Sequence, residues 1–202
     1  MNSNHHYSLR QYLNDVIDLE RNIRNAVHSQ SDDSGLEAYP ELRQLLLEIV
    51  NGSDERIAAL ERLSTQEGGS VGAALMEGIN TVTGTLAGLY EKVREHPVSK
   101  MVRDDIIALH MASTGYGMLL TLSLGIGHNE CADLSLKCMS CFPRLILGLT
   151  DLLPTIVLEE LAQDAPLSSP AAAQVAIAHI RDVWHSDALN PLVAEMAYSS
   201  KS

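Results

Sequence analysis

The sequence predicts an all-α fold, and three observations carry that prediction. Apolar residues recur every three or four positions along most of the chain, the spacing that lines one face of a helix. No apolar/polar alternation of the kind that marks a half-buried strand lasts more than a few residues. The composition is 46% hydrophobic but only 4% aromatic, with one Trp and one Phe. The core must therefore be built from Leu, Ile, Val, Ala and Met, which favours helices over an aromatic-rich β-sandwich. A chain of 202 residues buries roughly 70% of its unfolded surface and needs no staples.

The first helix is predicted over 8–28, where Leu9, Leu13, Val16, Ile17, Ile23 and Val27 share a face and Ser8 can cap the start. A polar loop, 29–35, ends it. The second helix starts at Pro40, a residue suited to a first turn, and runs to Leu63 with Leu42, Leu45, Leu46, Ile49, Ile57 and Leu60 on its stripe. A third helical stretch, 70–95, carries Val71, Leu75, Ile79, Val82, Leu86, Leu89 and Val93, and has four glycines in or beside it. Pro97 interrupts it. A long apolar helix follows over 99–124, and a turn at 125–129. The next helix, 129–162, contains Pro143 and Pro154 and should kink or split there. Ser169-Pro170 opens a last helix to about His185. Long helices joined by short connections indicate an antiparallel bundle. Domain organisation reads as a bundle over 1–165, with 166–202 a C-terminal helix and tail packed on it.

Charge and motifs exclude several functions. The formal net charge is −12, from 14 basic and 26 acidic residues, which repels a phosphate backbone and argues against nucleic-acid binding. The three Cys cannot all pair within one chain, which fits a reducing cytoplasm. The polar N-terminus lacks the apolar core of a secretory signal. Residues 106–129 contain no Asp, Glu, Lys or Arg over 24 positions, long enough to span a bilayer. His110, Ser113, Thr114, Thr121 and Ser123 within it, and the acidic flanks, favour a buried helix instead. No Walker loop, dinucleotide fingerprint, H-E-x-x-H or G-x-S-x-G occurs.

Polar residues on apolar stripes are the candidates for chemistry. Leu13, Val16, Glu20, Ile23 and Val27 alternate spacings of three and four, so Glu20 points where a core residue should. A buried carboxylate needs a cation, a metal or several donors. In bundles an inward Glu can be a metal ligand; it can also sit at a stripe edge or pair with an Arg or His. His110 lies beside Ile106 and Ile107 and reads either as a core histidine or as a ligand. If both face one interior, His110 is the first choice of partner for Glu20. Cys138 and Cys141 have C-x-x-C spacing, but no βαβ context supports thioredoxin-like chemistry. Zinc would need a ligand beyond Cys131, Cys138 and Cys141, with His128 the nearest candidate. Inert packing thiols are the plainer alternative.

Tyr12-Leu-Asn-Asp-Val-Ile-Asp-Leu-Glu20 resembles the first helix of the YciE/YciF-type ferritin-like family of bacterial stress-associated proteins. Ala74-Leu-Met-Glu-Gly78 is similar to that family's short Met-Glu-Gly segment. Asp104-Asp105-Ile-Ile-Ala-Leu-His110, Gly115-Tyr-Gly117 and Leu124-Gly-Ile-Gly-His128-Asn-Glu130 resemble its next long helix and the turn after it. The resemblance covers roughly residues 7–160 in order. It implies a ferritin-like four-helix bundle with an additional crossover helix and a C-terminal helix.

The family's carboxylates and histidines can hold a di-metal centre, and the resemblance places Glu20 and His110 at two of those positions. The acid before the His is Leu109, and a second acid, after it, is Ala112. The second helix's ligand cluster falls around Ile49, Asn51 and Gly52, and the acidic cluster of the last bundle helix around Cys141, Phe142 and Pro143. One carboxylate and one imidazole cannot hold a metal pair that uses about six ligands. The expectation is a bundle that binds or assembles, with no cofactor and no catalytic residue. One alternative is an iron- or manganese-dependent oxidase or iron-binding protein using Glu20 and His110, aided by Glu48, Glu55 or Asp151. A second is a thiol redox protein using Cys138 and Cys141. The scarcity of charge on the two apolar helices predicts that some of Tyr116, Leu119, Leu120, Leu124, Ile146, Leu149, Leu153 and Val157 stay exposed, favouring a homodimer; the alternative is that the stretch 70–95 and the last helix, which both carry apolar stripes, cover these faces within one chain.

Overall fold

The computed structural model describes residues 3–68 and 97–185. Among them every regular element is helical: α1 (Ser3–Ser31), a 3₁₀ turn (Ser34–Ala38), α2 (Pro40–Gln66), α3 (Pro97–Ile126), α4 (Asn129–Met139), α5 (Phe142–Asp164) and α6 (Ala172–His185). The stretch 70–95 and the tail beyond His185 lie outside the described residues. The chain divides into two compact units, Met1–Leu153 and Pro154–Ser202. The division falls within α5, at Pro154, through which the helix continues.

In the first unit α1 packs along α2 and α3, and α3 packs on α4. Each long helix buries a stripe at alternating spacings of three and four. On α1 it is Leu9, Leu13, Val16, Glu20, Ile23 and Val27, and on α2 it is Leu42, Leu46, Ile49, Ser53, Arg56, Leu60 and Leu63. On α3 the series Val102, Asp105, Leu109, Ala112, Tyr116, Leu119 and Ser123 faces inward. Gly148 of α5 lets that helix approach α2: a Cβ there would sit 3.1 Å from Leu45. Arg144 and Glu48 join the same two helices at 2.8 Å, at a solvent-exposed site where an ion pair contributes little.

The connections follow local chemistry. Asp33 accepts the Gly35 N–H at 2.8 Å and starts the 3₁₀ turn, whose Leu36 is buried. Pro40 opens α2 without a missing hydrogen bond. α3 ends where Gly127 takes a φ of 75°. There the Gly127 N–H meets the Leu124 carbonyl and the His128 N–H the Ser123 carbonyl, the paired closure that glycine permits at a helix C-terminus. The helix expected over 129–162 splits at 140–141, just before Pro143, which takes a first-turn position in α5.

The stretches Val98–Ile126 and Asn129–Asp164 are long and apolar enough to cross a membrane by length and composition; the second is broken by the turn at 140–141. Of the residues expected to remain exposed, Leu124 and Val157 do. Tyr116, Leu119, Ile146 and Leu149 are instead buried, because they occupy the inward positions of their helices.

Candidate functional site

Three inward stripes bring a polar group to one level of the first unit: Glu20 from α1, Arg56 from α2 and Tyr116 from α3. All three are buried. Arg56 grips the carboxylate with two parallel bonds, Nε donating to Oε1 at 2.6 Å and Nη2 to Oε2 at 3.0 Å. The Tyr116 hydroxyl donates to Oε1 at 3.0 Å. Arg56 Nη2 also donates to Ser53 Oγ at 3.0 Å, and Nη1 to Cys141 Sγ at 3.3 Å. Its Cζ lies 4.9 Å from the Phe142 ring centroid, within cation–π range. The Phe142 ring is tilted 40° to Tyr116 with centroids 5.7 Å apart.

Burial works against the charge on Arg56, but the hydrogen bonds and the negative charge of Glu20 outweigh it and hold the guanidinium above its ordinary range. Burial, followed by the neighbouring Glu20 charge, pushes the Tyr116 hydroxyl well above the usual phenol range. The phenol therefore stays protonated and acts as a donor. A charge-assisted, two-pronged contact with a third donor gives both carboxylate oxygens a partner.

Gly52 makes room for this arrangement. A Cβ at position 52 would lie 2.8 Å from Arg56 Nη1, and the guanidinium is tied on its other sides. Gly→Ala inside a helix ordinarily stabilises by about 1 kcal/mol. Gly52→Ala should instead destabilise by about 1–2 kcal/mol through overpacking. Urea unfolding reads the sign, and a gain in stability would mean that Arg56 yields freely.

His110 is not the partner of Glu20. It lies exposed on α3, one residue past the buried Leu109 and so turned about 100° off the inward stripe. Tyr116 holds the place expected for it. Two of the auxiliary acids are engaged elsewhere: Glu48 pairs with Arg144, and Glu55 is exposed. Among the described residues no three His, Cys, Asp or Glu side chains are placed to hold a metal ion.

His128 has a different task from zinc ligation. Its Nδ1 accepts the Cys131 N–H at 3.2 Å and caps α4. That assigns the proton to Nε2, which lies 2.9 Å from Glu67 Oε1. Glu67 in turn has His6 Nδ1 at 3.3 Å from its other oxygen. The imidazole is thus committed at both nitrogens.

The three cysteines are free thiols. Cys141 donates to the Cys138 carbonyl at 3.1 Å. Burial raises all three, Cys138 to about 11, and for Cys141 it outweighs the lowering effect of Arg56. Thiols held in the protonated form are poor nucleophiles. A pH dependence follows. Unfolded, the Cys138 thiol releases its proton near 9.0, but folded it keeps it to about 11. Between those values the unfolded chain binds fewer protons, so stability falls as pH rises. The thermal midpoint should drop steadily across this window, and a flat profile would refute the burial of these thiols.

No family model and no curated protein matches the chain. Among solved structures it is similar to the crystal structure of a protein from Xanthomonas campestris pv. campestris, with a TM-score of 0.65 at 18% identity, over 80% of this chain and 99% of that one. That likeness supports the fold alone.

Proposed function

We propose that this chain is a ferritin-like bundle whose interior has exchanged a di-metal centre for a built-in cation, and that it acts by binding or assembly. The carrying observation is where the replaced ligand positions meet. Gly52, Cys141 and Phe142, which stand where the resemblance places ligand clusters, all border the Arg56 guanidinium. Arg56 in turn occupies both oxygens of Glu20, the carboxylate that the resemblance retains.

These residues do not fit a metal pair. Both oxygens of the single carboxylate already accept from Arg56, and a fixed guanidinium repels a dication at that range. The positive charge needed to bury Glu20 comes from the chain itself. The raised thiols likewise oppose redox use of Cys138 and Cys141. Free cysteines suit a reducing cytoplasm, and the resemblance associates the process with bacterial stress.

Elemental analysis of protein purified without chelator tests the proposal. We expect no stoichiometric iron, manganese or zinc. Two metal ions per chain would overturn it.

A further inference from the structure

The outward face of α3 repeats the spacing of its inward face. Ile107, Met111, Thr114, Met118, Thr121 and Gly125 follow one another at intervals of four, three, four, three and four. Ile107 is 41% and Met118 51% exposed; Thr114, Thr121 and Gly125 are exposed, and Met111 is half-buried. This is the seam geometry of a helix that packs lengthwise against another, and it runs for about 27 Å. Met111, Thr114 and Met118 also border a groove of about 330 Å³ against Tyr12 and Val16 of α1, with Asp15 at its edge.

We propose that this seam packs against the same seam of a second copy, antiparallel, about a two-fold axis level with residue 116. This partner choice rests on the reading of the chain as a binding and assembly module. An antiparallel pair centred there sets Ile107 opposite Gly125, Met111 opposite Thr121, and Thr114 opposite Met118. Each large side chain meets a small one, the self-complementarity that an isologous contact requires.

The polar atoms on the seam are already satisfied. Thr114 Oγ1 donates to the His110 carbonyl at 2.9 Å and Thr121 Oγ1 to the Gly117 carbonyl at 2.8 Å, which leaves their methyl groups for contact. Gly117 flanks the axis, and a Cβ there would meet nothing within 4 Å among the described residues, whereas one at Gly115 would touch Val16 of α1. Among the described residues nothing explains the helix-weakening cost of Gly117; close approach of a second backbone supplies a reason.

Charge permits a second copy of this chain at the seam, and the match of large to small side chains selects it. Two molecules of net charge −12 repel unless they meet on a face that carries none, and residues 106–129 carry none. Arg103, at the seam's N-terminal end, is held within its own chain by Asp104, to which its Nη2 and Nε donate at 2.6 and 2.8 Å, so it adds no unpaired charge to the contact.

Sedimentation of the full chain over about a hundredfold range of concentration tests this. The wild type should be a dimer. Thr114→Glu and Met118→Lys, both at exposed positions, should each weaken the dimer by about 100-fold or more while leaving the helical circular dichroism unchanged. An equimolar mixture of the two variants should restore association, because the new Glu and Lys face one another only in the antiparallel register. A monomeric wild type, a dimer indifferent to both variants, or a mixture that stays monomeric would each overturn the proposal. So would wild-type protein that binds phosphatidylglycerol vesicles through this seam in place of dimerising. A metal found by elemental analysis would overturn the preceding functional reading without altering the sedimentation result, so the two failures are distinguishable.

Discussion

Arg56→Met should cost about 3–5 kcal/mol, because it strands the Glu20 carboxylate in the interior. The methionine fills much of the arginine's volume, so little of the loss comes from a cavity. The loss comes from a carboxylate left with the Tyr116 hydroxyl alone. Replacing both partners, with Glu20→Leu added to Arg56→Met, should recover most of the stability, since a buried ion pair and an apolar pair of similar volume are often equivalent. Urea unfolding of the two single variants and the double variant forms the cycle. A double variant as unstable as Arg56→Met would mean that the network specifies the packing of α1, α2 and α3 and is more than a neutralised charge.

The same pair shows where sequence reasoning reaches and where it stops. Glu20 was legible because its neighbours at 13, 16, 23 and 27 are all apolar, so one acid stood out on an unbroken stripe. Arg56 carried the same signal in a noisier setting. The predicted stripe of α2 jumped from Ile49 to Ile57, and Ser53 and Arg56 fill that gap at the spacing of the buried series. Both lie in the polar run Ser53-Asp54-Glu55-Arg56, which reads as a solvated turn of helix until the flanking periods are extended through it. His110 misled for the converse reason. It stands among apolar residues, but α3 is apolar on nearly every face, so hydrophobic neighbours do not indicate which face is inside. Only the regular series through 102, 105, 109, 112 and 116 does. The helices themselves were legible from periodicity and from Pro40, Gly127 and Pro143, since these signals act within a turn or two of chain. Which polar groups meet across helices depends on rotation and height, which no single stripe contains.

Leu109→Glu should be the most damaging single change on α3, at about 4 kcal/mol or more. It restores the acid that the resemblance places before His110, and Leu109 is buried among the inward residues of α3. The interior offers that acid little compensation: Arg56 lies at the level of Tyr116, about two helical turns along α3, and already directs four donor contacts to Glu20, Ser53 and Cys141. A second carboxylate would be buried without a counter-charge, and its folded-state pKa would rise above the unfolded value of about 4.3. A raised folded pKa confines the penalty to the higher pH range, so the deficit against wild type should narrow as pH falls toward that value. Unfolding at neutral and at mildly acidic pH, with and without added iron or manganese, measures this. A variant near wild-type stability only when metal is present would show that the bundle still accommodates a dication in its interior. A variant that is weak at neutral pH, indifferent to metal and partly rescued by acid is what an interior closed around its own cation should give.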